Sequence, residues 1–121
     1  MPDCPEQAAL IPFERRLRRT RDYDRVQRTG RRIQGRHLVV VHATNGLDGP
    51  RFGLAVSRKV GNAVVRNRVK RWIRDAIRHH MAGVPSRDVV FIARASAATA
   101  GHAALSAEVD RALGVLREVG A

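Results

Sequence analysis

The chain has 121 residues, room for one domain built around one core, and 44% of them are apolar, which supports globular folding rather than disorder. Charge is the outlier: 23 Lys and Arg against 11 Asp and Glu leave a net charge of +12, so the protein repels its own copies and favours polyanions. The single cysteine, Cys4, excludes an internal disulfide and a cysteine-based metal site.

Residues 1–12 carry Pro2, Pro5 and Pro12 and no periodicity, and are expected to be a flexible tail ahead of one domain over 13–121. No basic start precedes an apolar core there, and no run approaches the ~20 apolar residues of a membrane helix, so a cytoplasmic protein is expected. A basic lead-in follows, Phe13 to Arg19. Thr20 is the expected N-cap of a short helix over 21–29, with Asp22 and Asp24 in its first turn and Gly30 as its stop. Residues 31–35 predict a short strand, and the β-branched run 37–43 a second. Asn45 to Pro50 is a turn cluster, which predicts an antiparallel hairpin to a third strand over 51–57.

From Ala63 to about Met81 the apolar period changes from two to 3.6. With Val69 as reference, Val65, Trp72, Ile73, Ala76 and Ile77 fall within about 80° of it on a helical wheel. Asn67, Lys70, Arg71, Arg74 and Arg78 lie on the far side, Arg68 is beyond them, and Arg66 is near the seam. One side of this helix is core and the other is almost entirely cationic, interrupted only by Asp75. A solvated face would mix signs, whereas like charges four apart (Arg66, Lys70, Arg74, Arg78) weaken a helix by a few tenths of a kcal/mol per pair. A polyanion that neutralises them removes that cost, so the face reads as a nucleic-acid surface.

Gly83 to Ser86 ends this helix, residues 88–94 predict a fourth strand, and residues 96–101 a loop of small residues. The last helix spans about His102 to Val119, with Ala104, Leu105, Val109, Leu113 and Leu116 on one stripe. The order is α-β-β-β-α-β-α, an α+β sandwich of one four-stranded sheet with packed helices. Its acids are scattered, and His79 and His80, adjacent on a helix, point about 100° apart. The chain carries binding chemistry without a visible acid–base or metal set.

The stretch Gly61-Asn62-Ala63-Val64-Val65-Arg66-Asn67-Arg68-Val69-Lys70-Arg71 resembles the arginine-asparagine-arginine signature of the bacterial ribonuclease P protein component. Residues 52–59, FGLAVSRK, are similar to the strand before that signature, and the likeness runs from about Pro12 to about Arg117. The resemblance implies the same element order with a left-handed βαβ crossover. It also implies an accessory protein in a ribonucleoprotein whose RNA is the catalyst, with Mg²⁺ held mainly by RNA. The complex removes the 5′ leader of precursor tRNA. By position, Arg66, Asn67, Arg68, Lys70, Arg71 and Arg74 would hold ribonuclease P RNA. Phe13, Tyr23, Ser57, Arg58 and Lys59 would hold the single-stranded leader, in a cleft between the sheet and the first helix. Tyr23 stands for an aromatic of the family's first helix, and Gln27 where a second often follows, so a smaller stacking platform is expected. No catalytic residue, obligate protein partner or membrane association is implied. The rival readings are a basic ribosomal or other structural RNA-binding protein, and a DNA-binding domain with the central helix as recognition helix. The latter needs a helix-turn-helix setting, and here strands flank the helix.

Overall fold

The computed structural model describes residues 15–119. The tail expected over 1–12 and the leader-binding candidate Phe13 lie outside the described residues. Helix α1 spans Thr20–Thr29, followed by strands β1 (Arg31–Gln34), β2 (Leu38–Thr44) and β3 (Arg51–Ala55). Helix α2 (Ala63–His80) leads to β4 (Arg87–Ala93), the single turn α3 (Ala97–Ala100) and α4 (His102–Val119). The small-residue loop therefore contains a helical turn, consistent with its alanines, which pay little entropy to adopt one.

The four strands form one sheet in the order β1-β2-β4-β3. This corrects the expected β2–β3 hairpin. The Asn45–Pro50 turn exists, with Leu47 N–H donating to Asn45 Oδ1 at 2.8 Å, but the strands it joins are not neighbours. β4 lies between them, antiparallel to β2 and parallel to β3. Burial explains the choice. Val89, Val90 and Phe91 of β4 are wholly buried, and a strand apolar on both faces is satisfied in the middle of a covered sheet. The parallel β3–β4 pair needs a crossover, and α2 supplies it.

Both faces are covered. Leu38, Val40, Phe52, Val89 and Phe91 pack in one cluster with Val69, Ile73, Ala76 and Ile77 of α2 and with Leu105, Val109, Leu113 and Leu116 of α4. The opposite face packs Val39, Val41 and Val90 against Val26 of α1 and Leu17 of the lead-in. Each such side chain contributes about 1.5–3 kcal/mol on full burial. The apolar stripes read from α2 and α4 are the ones that face the sheet.

The entry to α1 also differs from expectation. Leu17 N–H donates to Phe52 O at 2.8 Å, and Arg16 bridges Phe52 in parallel, so the lead-in runs along the edge of β3. The chain then turns straight into the helix. Arg19 is the N-cap residue, without a side-chain cap, and its carbonyl accepts from Asp22 and Tyr23; Thr20 is already helical.

Candidate nucleic-acid interface

Helix α2 starts at Asn62, whose side-chain oxygen accepts the Val65 N–H at 3.0 Å. Asn62 in the Gly-Asn turn is therefore an N-cap, satisfying one of the helix's first free donors. Gly61 must stay small, because a Cβ there would sit 2.7 Å from the Val65 side chain. The turn thus sets where the helix begins, and with it the direction in which every cation on it points.

Asn67, Arg68, Arg71 and Arg78 are exposed, and Arg66, Lys70 and Arg74 are half-buried along the flank. The guanidinium of Arg68 lies over the Trp72 ring, 5.5 Å from its centroid, a cation–π contact that orients it. Among the described cations of this face Asp75 pairs only with Arg78. It also turns to His79 and His102, the last at 2.8 Å. Arg66, Asn67, Arg68, Lys70, Arg71 and Arg74 form no ion pair with any acid among the described residues. Arg66 Nε is buried without a hydrogen-bond partner.

Beside this face, at the edge of β3, is a cleft of about 370 Å³. Residues 16–18 of the lead-in, Tyr23 of α1, residues 52–54 of β3, and Lys70 and Arg74 of α2 line it. Tyr23 is fastened across the opening: its hydroxyl donates to Leu17 O at 3.0 Å and accepts the Leu54 N–H at 3.2 Å. Burial raises the Tyr23 pKa above its ordinary value, opposed by the Leu54 hydrogen bond and the nearby Arg74 charge. Gly53 makes the room, since a Cβ there would sit 2.5 Å from Tyr23 Oη and 2.8 Å from Cε1.

The structure thus joins residues that sequence reading assigned to two surfaces, with Lys70 and Arg74 lining the cleft that Tyr23 lines. Ser57, Arg58 and Lys59 are exposed in the turn between β3 and α2 and do not line this cleft. Within that turn Ser57 Oγ accepts the Lys59 N–H at 3.3 Å. Gln27 is exposed on α1, away from the cleft lining. Arg16 and Arg18 of the lining were not singled out from the sequence. The signal was present: Arg16-Leu17-Arg18 alternates with period two, as an added edge strand does.

His79 and His80 diverge as expected. His79 Nδ1 lies 2.9 Å from Asp75 O, while His80 faces α4, 3.3 Å from Asp110 Oδ1. Among the described residues no three His, Cys, Asp or Glu side chains gather to hold a metal ion, and no helix is long and apolar enough to cross a membrane.

The family model described as Ribonuclease P matches residues 11–117. The chain belongs to the ribonuclease P protein family. Its relatives in that family include the ribonuclease P protein component of Acidothermus cellulolyticus, 44% identical over 112 residues, covering 90% of this chain and 93% of the relative. The ribonuclease P protein component of Streptomyces avermitilis is 41% identical over 115 residues, covering 86% and 93%. Among solved structures, a Staphylococcus aureus RNase P protein mutant with defective mRNA degradation activity superposes with a TM-score of 0.81 at 28% identity, covering 93% of this chain and 97% of that one. The RNase P protein of Thermotoga maritima superposes with a TM-score of 0.71 at 30% identity, covering 85% and 96%. The mixed sheet with β4 at its centre is therefore the ribonuclease P protein fold.

Proposed function

We propose that this chain is the protein component of ribonuclease P, which binds the catalytic RNA and the 5′ leader of precursor tRNA and assists removal of that leader. The observation that carries the reading is the cationic face of α2, whose Arg66, Arg68, Lys70, Arg71 and Arg74 pair with no acid among the described residues, running into the Tyr23 cleft through Lys70 and Arg74. Arg66, Arg68 and Arg71, with Asn67 between them, hold ribonuclease P RNA through its phosphates. Guanidinium groups suit that contact because they donate in a planar, bidentate fork.

The cleft takes the single-stranded leader. Tyr23's hydroxyl is committed to backbone groups on both sides, so the ring is the part left to contact a base. Lys70 and Arg74 then sit where leader and catalytic RNA meet, and Ser57, Arg58 and Lys59 meet the leader as it leaves the cleft. Mg²⁺, which the family resemblance places mainly on the RNA, would supply electrophilic activation of the scissile phosphate there. The protein needs no obligate protein partner in this reading and works in the cytoplasm.

The test is cleavage of a leader-bearing precursor tRNA across a Mg²⁺ series, with and without ribonuclease P RNA. Purified RNA-free protein is expected to leave the precursor intact, and protein added to the RNA is expected to lower the Mg²⁺ required. Robust cleavage by the protein alone, or no change in the Mg²⁺ requirement, overturns the assignment. Preferential binding to ribosomal RNA would favour a structural RNA-binding protein instead.

A further inference from the structure

A second cationic hollow lies toward the opposite edge of the sheet, where β1 begins and β2 continues past it. Its volume is about 350 Å³, and its lining includes Arg25, Thr29, Arg31, His42, Thr44 and Arg87. None of these lines the Tyr23 cleft. The first hollow lies at the β3 edge of the sheet, and this one spans the start of β1, the end of β2 and the start of β4.

Register explains how residues so far apart in sequence converge. Arg31 stands directly across from His42, and Thr44 directly across from Arg87. Opposed residues project to the same sheet face, as do residues two apart on one strand, so all four share a face. Arg25 and Thr29 come from the end of α1. Arg25 Nη1 donates to Thr44 O at 3.4 Å, and Thr29 Oγ1 donates to Arg25 O at 2.7 Å.

Protein acids balance only part of the charge here. Arg25 is taken up by Asp88, a wholly buried carboxylate that also binds Arg51 and Asn45, and by Asp22 at 3.8 Å. Arg31 and Arg87 have no acid partner among the described residues. Arg87 instead donates to the ring of His42, Nη1 to Nδ1 at 3.3 Å. A guanidinium can only donate, so Nδ1 accepts and the remaining ring nitrogen carries the hydrogen. The side chains therefore present donors and positive charge. Burial, then the charges of Arg87 and Arg31, push the His42 pKa below its ordinary value. The two guanidinium groups flank a neutral imidazole, and an anion held between them would offset their mutual repulsion.

We propose that this hollow is a second phosphate site, in which Arg31, Arg87 and the His42 ring hold a backbone phosphate of RNA within the ribonuclease P complex. The phosphate chemistry stands on the donors and charges alone, and RNA as its source rests on the function proposed above. The two are tested separately. In the first arm, the RNA-free protein is titrated with pyrophosphate and the imidazole signals of His42 are followed by NMR, in the natural chain and in Arg31→Gln and Arg87→Gln variants. Arg31 is exposed and Arg87 bonds only His42 among the described residues, so both variants should fold, as circular dichroism checks. Pyrophosphate is expected to shift the His42 signals in the natural chain and to shift them far less in either variant. Unmoved His42 signals in the natural chain overturn the site.

In the second arm, the salt dependence of binding to ribonuclease P RNA and to precursor tRNA is measured for the natural chain and the double variant. The slope against log salt is expected to fall by about two units for one of these RNAs, about one per lost charge. An unchanged slope with both RNAs, alongside a pyrophosphate shift, overturns RNA as the occupant and leaves free phosphate. If the natural chain fails to bind ribonuclease P RNA at all, the proposed function and the RNA assignment both fall, while the first arm still reads the hollow.

Discussion

Tyr23 fastens the lead-in to β3 through its hydroxyl and presents its ring to the cleft, and two substitutions separate these roles. Tyr23→Phe keeps the ring and removes the hydrogen bonds to Leu17 O and Leu54 N–H, at a cost of about 1–2 kcal/mol. It should be less stable to urea yet still bind leader-bearing precursor better than mature tRNA. Tyr23→Ala removes both features, so it should also lose roughly 1–3 kcal/mol of leader-dependent affinity, as expected for one base stacked on an aromatic ring. Equal loss of discrimination in the two variants would show that the hydroxyl frame, not the ring, recognises the leader. Gly53 belongs to the same unit, because any side chain there displaces the ring.

On α2 the cations are separable from the fold. Arg71 is exposed and pairs with no acid among the described residues, so Arg71→Ala should change stability by less than about 0.5 kcal/mol. It should weaken assembly with ribonuclease P RNA and lower the salt slope by about one unit. A normal slope would mean that Arg71 meets no phosphate.

Asp88 on β4 is the reverse case, an ionised group on which elements depend. Its carboxylate accepts from Arg25 of α1, from Arg51 of β3 (Nε to Oδ1 at 2.8 Å) and from Asn45 of the β2–β3 turn. Burial alone would raise its pKa, but the hydrogen bonds from Arg51 and Asn45 and the charges of Arg51 and Arg25 outweigh burial, and the net direction is down. A carboxylate with a depressed folded pKa contributes stability above its unfolded value near pH ~4, and that contribution is lost as pH falls through the folded value. Asp88→Asn should flatten this acid limb of the stability profile. At neutral pH it should cost on the order of 2–3 kcal/mol, less than for a fully buried pair, since Arg25 and Arg51 keep access to water. An acid limb as steep as that of the natural chain would place the titrating group elsewhere.

For the molecule as a whole, +12 is a self-repulsion that partner RNA relieves. An anion bound to the folded state alone stabilises it by mass action, by about 2.7 kcal/mol at one hundred times its Kd. Pyrophosphate or sulfate should therefore raise Tm by several degrees over chloride at matched ionic strength. Equal Tm in all three salts would argue against any preformed anion site.

The sequence by itself determined the periodic features. The apolar stripes of α2 and α4, the strand character of residues 37–43 and 88–94, and the cationic far side of α2 all follow from side-chain spacing within a few turns. The signature around Arg66–Arg71 added the family, and with it expectations about partners that spacing alone does not carry. Tertiary structure decided which strands are neighbours. The turn at Asn45–Pro50 looked like half of a hairpin, but a local turn constrains only the chain's direction. β4, apolar on both faces, took the place between β2 and β3 because only a central position buries both. That choice also assembled the sites. It set β3 at an edge where Arg16, Tyr23, Lys70 and Arg74 meet, and paired β2 so that Arg31, His42 and Arg87 converge. Periodicity is written within one element, whereas convergence of residues 25, 31, 42 and 87 arises from burying two sheet faces at once.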